Sequence, residues 1–280
     1  MIKIAMKIKR PKFYIVLLAV LVIILIFFYF QNNYLQITNI QIQSPYIRNE
    51  VKIIHLSDLH GKEFGRNNNA LISSIKDNTP DIIVFTGDLI DKSGNNINGS
   101  VLLLSELNKY RPVYYVPGNH EYRSGQSNLV FRLLEENGVK VLRNKMESLN
   151  IKNTKISILG IDETVINNNQ LNENLNEFEK SNSFKILLSH YPENFSRIYK
   201  HRNIDLVLSG HAHGGQFIIP FAGGLYAPGQ GFFPKYYKDK YIENGVDLVV
   251  SRGLGNSVIP VRIFNRPEIV SISLTQSPTI

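Results

Sequence analysis

Residues of the types that bind metal ions follow several short apolar runs in this sequence. The run at residues 82–85 leads through Gly87 to Asp88, and it is short, β-branched and preceded by Pro80, which is typical of a strand buried on both faces. Four other runs also end in candidate ligands, namely Asp58 and His60, then Asn119, His120 and Glu121, then His190, and finally His211 and His213. Because loops at the carboxyl ends of such strands carry the chemistry of α/β proteins, we expect one convergent metal site with Asp88 at its centre.

The chemistry that this set favours is hydrolysis of a phosphate ester. Two divalent ions about 3.5–4 Å apart can activate a bridging water and neutralise the phosphoryl oxygens. Such a pair needs a shared carboxylate, and we predict that role for Asp88. Asp58 and His60 are two residues apart, so they lie on one side of a strand end. His211 and His213 lie in a glycine-rich turn, where their rings could point toward different ions.

The sequence contains no cysteine, which excludes disulfides and thiolate ligands. Any metal must then be bound by carboxylate, amide and imidazole groups, and these suit Mn, Fe and Zn alike. We therefore expect two divalent metal ions per chain, with the element left open.

Strands and helices alternate from residue 51 onward. Strands are predicted at residues 51–57, 82–85 and 113–116, and a helix follows each of them, at residues 68–76, 100–109 and 128–136. Short strands come next at residues 139–142, 148–151 and 156–159, then a surface helix at 167–182, strands before His190 and His211, and final strands at 247–251 and 269–274. This pattern predicts an α/β fold with two β-layers flanked by helices in a single domain over residues 51–280, preceded by a connecting segment and edge strand at residues 31–50.

The N-terminal region predicts a membrane anchor. Residues 13–30 form an uncharged apolar run long enough to cross a bilayer as one helix. Five basic residues and no acidic one precede it, so residues 1–12 should be a cytoplasmic tail and everything after Gln31 should lie outside the cytoplasm. A cleaved signal peptide is the alternative, although residues 31–34 offer no small-residue cleavage pattern. Since these five charges account for most of the formal net charge of +8, no nucleic-acid-binding surface is predicted.

Taken together, the motifs resemble a known enzyme family. Five blocks are similar, in family order, to the signature of the calcineurin-like metallophosphoesterases: Asp58-x-His60, Gly87-Asp88, Gly118-Asn119-His120-Glu121, His190 and Gly210-His211-x-His213. The anchor, the segment Gly214-Gly215-Gln216 and the segments at residues 252–256 and 260–262 further resemble the membrane-associated bacterial branch of YkuE- and YaeI-like phosphohydrolases. Lys9-Arg10 is not the twin-arginine pair found in some relatives.

The resemblance implies the metallophosphoesterase fold and a role for each residue in the blocks. One metal would be bound by Asp58, His60 and His213, the other by Asn119, His190 and His211, and Asp88 would bridge the two. His120 would be a catalytic imidazole that binds no metal and acts on the phosphoryl oxygens or the leaving group. Glu121 is predicted to orient His120.

Four other candidate residues are predicted to have no part in metal binding. His55 lies inside a strand, where a hydrogen-bonded structural role fits better, and His201 lies in a basic stretch typical of a solvated helix end. Asp81 and Asp91 are predicted to be a strand-start cap and a loop carboxylate.

We therefore predict a single-pass enzyme of the cell membrane, with an extracytoplasmic catalytic domain that cleaves phosphate mono- or diesters by means of a metal-bridging hydroxide. One alternative is a pyrophosphatase of a sugar-nucleotide or lipid-linked substrate. An alternative of another class is a metal-binding interaction scaffold without activity. The oligomeric state stays open.

The aromatic stretch at residues 217–241 has two interpretations. It directly follows His213 and combines phenylalanine and tyrosine with glycine, proline and lysine. It is either a loop that packs on the core or a lid that rests at the bilayer interface. The second interpretation would make a lipid-linked phosphate ester the substrate.

Overall fold

The computed structural model describes residues 10–256 and 260–277. Helix α1 (Arg10–Asn33) comes first, and from Lys12 to Asn33 it is long and apolar enough to cross a membrane, with a mean hydropathy of 3.1 in an 18-residue window of which nothing is buried in the protein. The predicted span of residues 13–30 lies within this helix.

The remaining elements follow in close succession. The strands are β1 (Gln36–Ser44), β2 (Val51–Leu56), β3 (Ile82–Thr86), β4 (Val113–Val116), β5 (Lys140–Val141), β6 (Lys145–Ile151), β7 (Thr154–Gly160), β8 (Phe184–Leu188), β9 (Leu206–Ser209), β10 (Ile218–Ile219), β11 (Gly223–Gly224), β12 (Tyr226–Ala227), β13 (Gly231–Phe232), β14 (Asp239–Glu243), β15 (Val246–Val250) and β16 (Glu268–Gln276). The further helices are α2 (Asn69–Asp77), α3 (Ile97–Tyr110), α4 (Asn119–Arg123), α5 (Ser127–Glu136), α6 (Asn168–Glu179) and α7 (Asn194–Arg197).

Two six-stranded sheets dominate the described part of the chain. Their strand orders are β1-β16-β2-β3-β4-β5 and β14-β15-β9-β8-β7-β6. Strands β2, β3 and β4 are parallel in the first sheet, and β7, β8 and β9 are parallel in the second. The carboxyl ends of each parallel set therefore meet at one edge of its sheet. Strand β1 is an edge strand, paired in parallel with β16 over nine residues.

The alternation of side chains along the buried strands builds the layers. In β3, Ile83 and Phe85 pack against α2, α3 and α5, whereas Ile82 and Val84 pack toward the second sheet. On the far side of the second sheet, Leu187 of β8 belongs to an apolar cluster that includes residues of α6. The architecture is thus helices, sheet, sheet, helices, which confirms the predicted two β-layers flanked by helices.

Two local features differ from what the sequence predicted. The aromatic stretch at residues 217–241, predicted to be a loop, forms the short hairpins β10–β11 and β12–β13 and the start of β14. Glycines with positive φ, such as Gly223 (94°) and Gly229 (74°), permit these tight turns. Helix α4, which begins at the candidate ligand Asn119, was not predicted because five residues are too few to show helical periodicity.

Candidate metal centre

The structure brings the predicted ligands together at the carboxyl ends of parallel strands in both sheets. Each follows its strand within a few residues, Asp58 and His60 after β2, Asp88 after β3, Asn119 after β4, His190 after β8, and His211 and His213 after β9. All seven side chains are buried. The two sheets therefore contribute to one site at the end of the sandwich.

The backbone at these positions is unusual. Five of the candidate ligands have φ values in the left-handed region: Asp58 (52°), His60 (51°), Asp88 (56°), His211 (63°) and His213 (47°). This region is rarely adopted by residues other than glycine, and such strain collects at functional sites where the surrounding structure enforces it. The turns after the strands are bent so that carboxylate and imidazole groups point into one space.

The first ligand group consists of Asp58, His60, Asp88 and His213. One ligand atom from each residue lies within 4.8 Å of the others. His213 Nε2 is 3.3 Å from Asp58 Oδ1, and His60 Nε2 is 3.7 Å from Asp88 Oδ2. The Nε2 atoms of His60 and His213 are 3.1 Å apart. Such a cluster of lone-pair donors is suited to a divalent ion.

The second group consists of Asp88, His190 and His211. His190 Nε2 lies 3.4 Å from Asp88 Oδ2 and 3.2 Å from His211 Nδ1. The other ring nitrogen of His190, Nδ1, lies 2.7 Å from the carbonyl oxygen of Thr86, to which it can donate. This hydrogen bond directs Nε2 into the site, as is usual for imidazoles that bind metals. Asp88 is the residue common to both groups.

Glu121 positions Asp88. This corrects the prediction that Glu121 orients the imidazole of His120. The carboxylate accepts hydrogen bonds from the backbone N–H groups of Asp88 (3.1 Å), Leu89 (2.7 Å), Ile90 (3.3 Å) and Gly118 (2.7 Å). It therefore joins the turn after β3 to the turn after β4.

Two glycines allow these turns to pack closely. A side chain at Gly87, which has φ of 83°, would place its Cβ 2.6 Å from Gly118 N and 2.7 Å from His190 Nδ1. A Cβ at Gly118 would lie 2.6 Å from Asp88 N. Each distance is shorter than any real Cβ contact, so glycine is needed at both positions.

Burial and charge set the protonation of the metal-free site. Burial raises the pKa of Asp58 to about 7 and lowers the pKa of His60 to about 4 and that of His211 to about 3. For Asp88 burial acts to raise the pKa, but the charge and hydrogen bond of His190 outweigh it and hold the pKa well below its usual range. Conversely, Asp88 outweighs the effect of burial on His190 and raises its pKa to about 10. Most of the imidazoles are thus neutral, the form that binds metals.

Comparison with known proteins identifies the family. The profile of the calcineurin-like phosphoesterase family matches residues 51–215. The chain belongs to this family. It is 31% identical over 227 residues to the uncharacterized metallophosphoesterase YkoQ of Bacillus subtilis (79% of this chain, 83% of YkoQ), and 31% identical over 229 residues to the uncharacterized metallophosphoesterase YkuE of the same organism (80% and 78%). It is 30% identical over 263 residues to a bovine transmembrane protein with metallophosphoesterase domain (86% and 57%).

Membership in this family confirms the predicted enzyme class. The protein is a metal-dependent phosphoesterase, a hydrolase, and the alternative of a scaffold without activity is not supported. The apolar helix α1 and the transmembrane relatives together indicate association with a membrane.

The site of this phosphoesterase fits the divalent ions that the family uses. Neither the oxygen nor the nitrogen of the buried Asn119 amide has a hydrogen-bond partner among the described residues. The same holds, within the described ranges, for Nδ1 of His60 and of His213. Buried polar atoms are normally paired. The amide oxygen of Asn119 has no donor in the described part of the chain and lies beside carboxylates and imidazoles, which fits a metal ligand.

His120 lies at the edge of the ligand groups. Its Nε2 is 3.9 Å from Asp88 Oδ2, and its ring contacts that of His60 edge to face with centroids 4.6 Å apart. The backbone N–H of His120 donates to Asp88 Oδ1 at 2.8 Å. Burial lowers the pKa of the imidazole. The residue thus lies beside the ligand groups, with its Nε2 directed toward Asp88.

The four residues predicted to have no part in metal binding lie outside both ligand groups. His55 Nε2 is 2.8 Å from the hydroxyl of Thr86 in the core. Asp81 accepts from the backbone N–H of Lys52 at the start of β2, and Asp91 accepts from the N–H groups of two residues in its own loop. His201 is exposed at the end of a short turn of 3₁₀ helix.

Sequence reasoning missed several residues around the site. The cavity over the ligand groups has a volume of about 560 Å³ and is also lined by Lys92, Arg123, Tyr191 and Asn256. Arg123 lies four residues after Asn119, on the same face of α4, but this spacing signals a role only once the helix is known.

Asn265, a buried residue beside the site, was also missed. Asn265 donates through Nδ2 to the carbonyl oxygen of His213 at 2.7 Å. Arg262 is buried, and its guanidinium donates to the carbonyl oxygens of Gly255, Arg252 and Asn265. These contacts hold together the loops on which His213 rests.

Proposed function

We propose that this protein is a membrane-anchored phosphohydrolase that uses two divalent ions to cleave phosphate mono- or diesters. The observation that carries the proposal is the geometry of Asp88, whose carboxylate belongs to two separate ligand groups. A carboxylate shared in this way is what a pair of close ions needs. The burial of all the ligands supports the proposal, because charge stabilisation is stronger where water is excluded.

The roles of the ligands follow from the groups. Asp58, His60 and His213 would hold one ion, Asn119, His190 and His211 the other, and Asp88 both. When bound, the ions supply an activated water as the nucleophile and positive charge for the phosphoryl oxygens. Mn, Fe and Zn all suit this set of oxygen and nitrogen donors.

The remaining polar residues of the cavity act on the substrate. His120 is placed to donate a hydrogen bond from its imidazole to a phosphoryl oxygen or to the leaving-group oxygen. Arg123 brings a permanent positive charge to the cavity and favours a phosphate anion there.

The anchor sets the location of the enzyme. We propose that α1 spans the cell membrane once and that the five basic residues before it keep the N-terminus in the cytoplasm. The catalytic domain then lies outside the cytoplasm. Protease added to spheroplasts should digest the domain and spare the tail, whereas a protected domain would reverse the orientation.

Activity and metal content test the proposed function. The full-length protein in detergent should hydrolyse p-nitrophenyl phosphate or bis-p-nitrophenyl phosphate with added Mn²⁺ and contain two metal ions per chain by plasma mass spectrometry. Asp88→Asn should lose at least one ion and nearly all activity, because the charge shared by two cations is removed. Asp77→Asn, on the exposed end of α2, is the matched control. Two bound ions and activity near that of the wild type in Asp88→Asn would contradict the shared role.

A further inference from the structure

Exposed phenylalanines are concentrated in one part of the catalytic domain. Beyond α1, every exposed phenylalanine in the described part of the chain lies between residues 221 and 264: Phe221 (fully exposed), Phe232 (72%), Phe233 (61%) and Phe264 (53%). Together with the half-exposed Tyr226, these residues are called here the aromatic surface. The other phenylalanines of the described part of the domain are buried, as is usual, except for the partly buried Phe217.

The backbone directs these rings outward. Phe221, Phe233 and Phe264 have φ values of 68°, 53° and 51°, in the left-handed region. For a bulky residue this conformation is an outlier, and here it presents an apolar ring to the exterior instead of burying it. These three rings gain no burial in return for the backbone strain.

The aromatic surface is continuous with the membrane helix. The ring of Phe264 packs edge to face on Phe27 of α1, with centroids 5.7 Å apart. Strand β10, which leads to Phe221, pairs with the segment before Phe264, because the N–H of Ile218 donates to the carbonyl oxygen of Ile263 at 3.0 Å. Phe264 therefore lies against α1, and the hairpin that carries Phe221 starts beside Phe264.

The aromatic surface reaches the catalytic cavity at Tyr226, and the end of α1 reaches the cavity wall at Asn256. Tyr226 lines the cavity and packs edge to face on Phe232, with centroids 5.4 Å apart. Asn256, also in the cavity wall, donates to Asn32 Oδ1 at the end of α1 at 3.4 Å. The backbone carbonyl of Asn32 accepts from Lys62, two residues after His60. The end of the anchor is thus part of the structure that surrounds the metal centre.

We infer that the aromatic surface docks into the interfacial layer of the bilayer that holds α1, so that the cavity opens at the membrane surface and accepts phosphoesters carried by lipids. Aromatic side chains are favoured at that depth, and binding strengthens with the apolar area that is buried. The docking rests on the exposed rings, on the contacts with α1 and on the proposed position of α1 in the membrane. The substrate class rests, in addition, on the proposed phosphohydrolase function.

Docking is tested first by a fluorescence measurement that does not depend on activity. The chain contains no tryptophan, so Phe232→Trp provides a single reporter in the full-length protein. In liposomes of phosphatidylcholine and phosphatidylglycerol, its emission should be blue-shifted and quenched by brominated lipids. Tyr46→Trp is the control, because exposed Tyr46 follows β1, whose nine residues lead about 30 Å away from the anchor. Quenching that is equal at both positions, or absent at position 232, would overturn the docking.

The substrate class is tested with the full-length enzyme in nanodiscs. The double variant Phe232→Ser/Phe233→Ser should lose about tenfold or more of its kcat/KM on phosphatidic acid or farnesyl pyrophosphate and stay within about twofold of the wild type on p-nitrophenyl phosphate. The control double variant is Leu102→Ser/Met146→Ser, which removes exposed apolar side chains that do not line the cavity.

The outcomes separate this inference from the proposed function. Equal losses on lipid and soluble substrates, with a lowered melting temperature, would mean that the two rings stabilise the fold, and would overturn the inference. Hydrolysis of the soluble esters by the wild type without hydrolysis of either lipid would overturn the substrate class and leave the proposed function intact. Absence of all hydrolysis would overturn the proposed function, while the quenching experiment would still decide the docking.

Discussion

Replacement of Glu121 by Gln should disturb the metal centre without touching a metal ligand. The two carboxylate oxygens of Glu121 accept from four backbone N–H groups in the turns that carry Asp88 and Gly118. Glutamine has one acceptor oxygen, which can keep one pair of these bonds. Its NH₂ group would then face the two remaining backbone N–H groups, which are also donors.

The cost follows from the two hydrogen bonds that are lost. A hydrogen bond to a charged group contributes about 1.5–3 kcal/mol, so the loss of two would cost about 3–6 kcal/mol. Even the lower end of this range amounts to about 3 kcal/mol. For a chain of this size, a loss of about 3 kcal/mol corresponds to a decrease in melting temperature of about 6–12 °C.

Circular dichroism and metal analysis of the purified variant provide the assay. The shift of the turn that carries Asp88 should lower metal content below two ions per chain and reduce kcat. Glu135→Gln, on the exposed face of α5, is the control and should match the wild type. An unchanged melting temperature together with full metal content and wild-type kcat in Glu121→Gln would refute the positioning role of this carboxylate.

Three further variants or treatments probe the same site. His120→Gln should keep both ions and lower kcat by about 10²–10⁴, the range for a positioned acid–base group, whereas loss of metal would make His120 a ligand. Gly118→Ala should lose metal and activity together because the new Cβ would lie 2.6 Å from Asp88 N; wild-type metal content would contradict the packing argument. Chelation should lower the melting temperature, and excess Mn²⁺ should restore it. At one hundred times the Kd, each occupied site should add about 2.7 kcal/mol to the free energy of unfolding. A melting temperature that does not respond to metal would contradict a metal centre built into the fold.

The sequence predicted the layers of the fold and the convergence of the ligands for one physical reason. A buried strand such as β3 is a short β-branched run. The polar residues that follow it do not contribute to the apolar core, so both the strand and its functional end are visible in the sequence. The same reasoning located Asp58 and Asp88 at one edge of the first sheet, and His190 and His211 at one edge of the second, since parallel strands carry their carboxyl ends together.

Sequence reasoning could not predict the contacts between residues that are far apart in the chain. The hydrogen bonds of Glu121 to the turn after β3 cross more than thirty residues, and the position of the acid beside a histidine suggested a different role. Asn265 supports His213 from 52 residues away, and nothing in its local sequence signals this. The hairpins between residues 218 and 232 have strands of only two residues, too short for any periodicity.

The division of ligands between the sheets connects the stability of the fold to its chemistry. In the first group, Asp58, His60 and Asp88 follow strands of the first sheet, whereas His213 follows a strand of the second. In the second group Asp88 comes from the first sheet, and His190 and His211 come from the second. An ion in either group would therefore link the two sheets at the end where the backbone is strained. Because such binding free energy is also folding free energy, the ions would offset the backbone strain of the five ligands with left-handed φ values. The sandwich would then be stabilised most strongly at the place where precise geometry matters for catalysis.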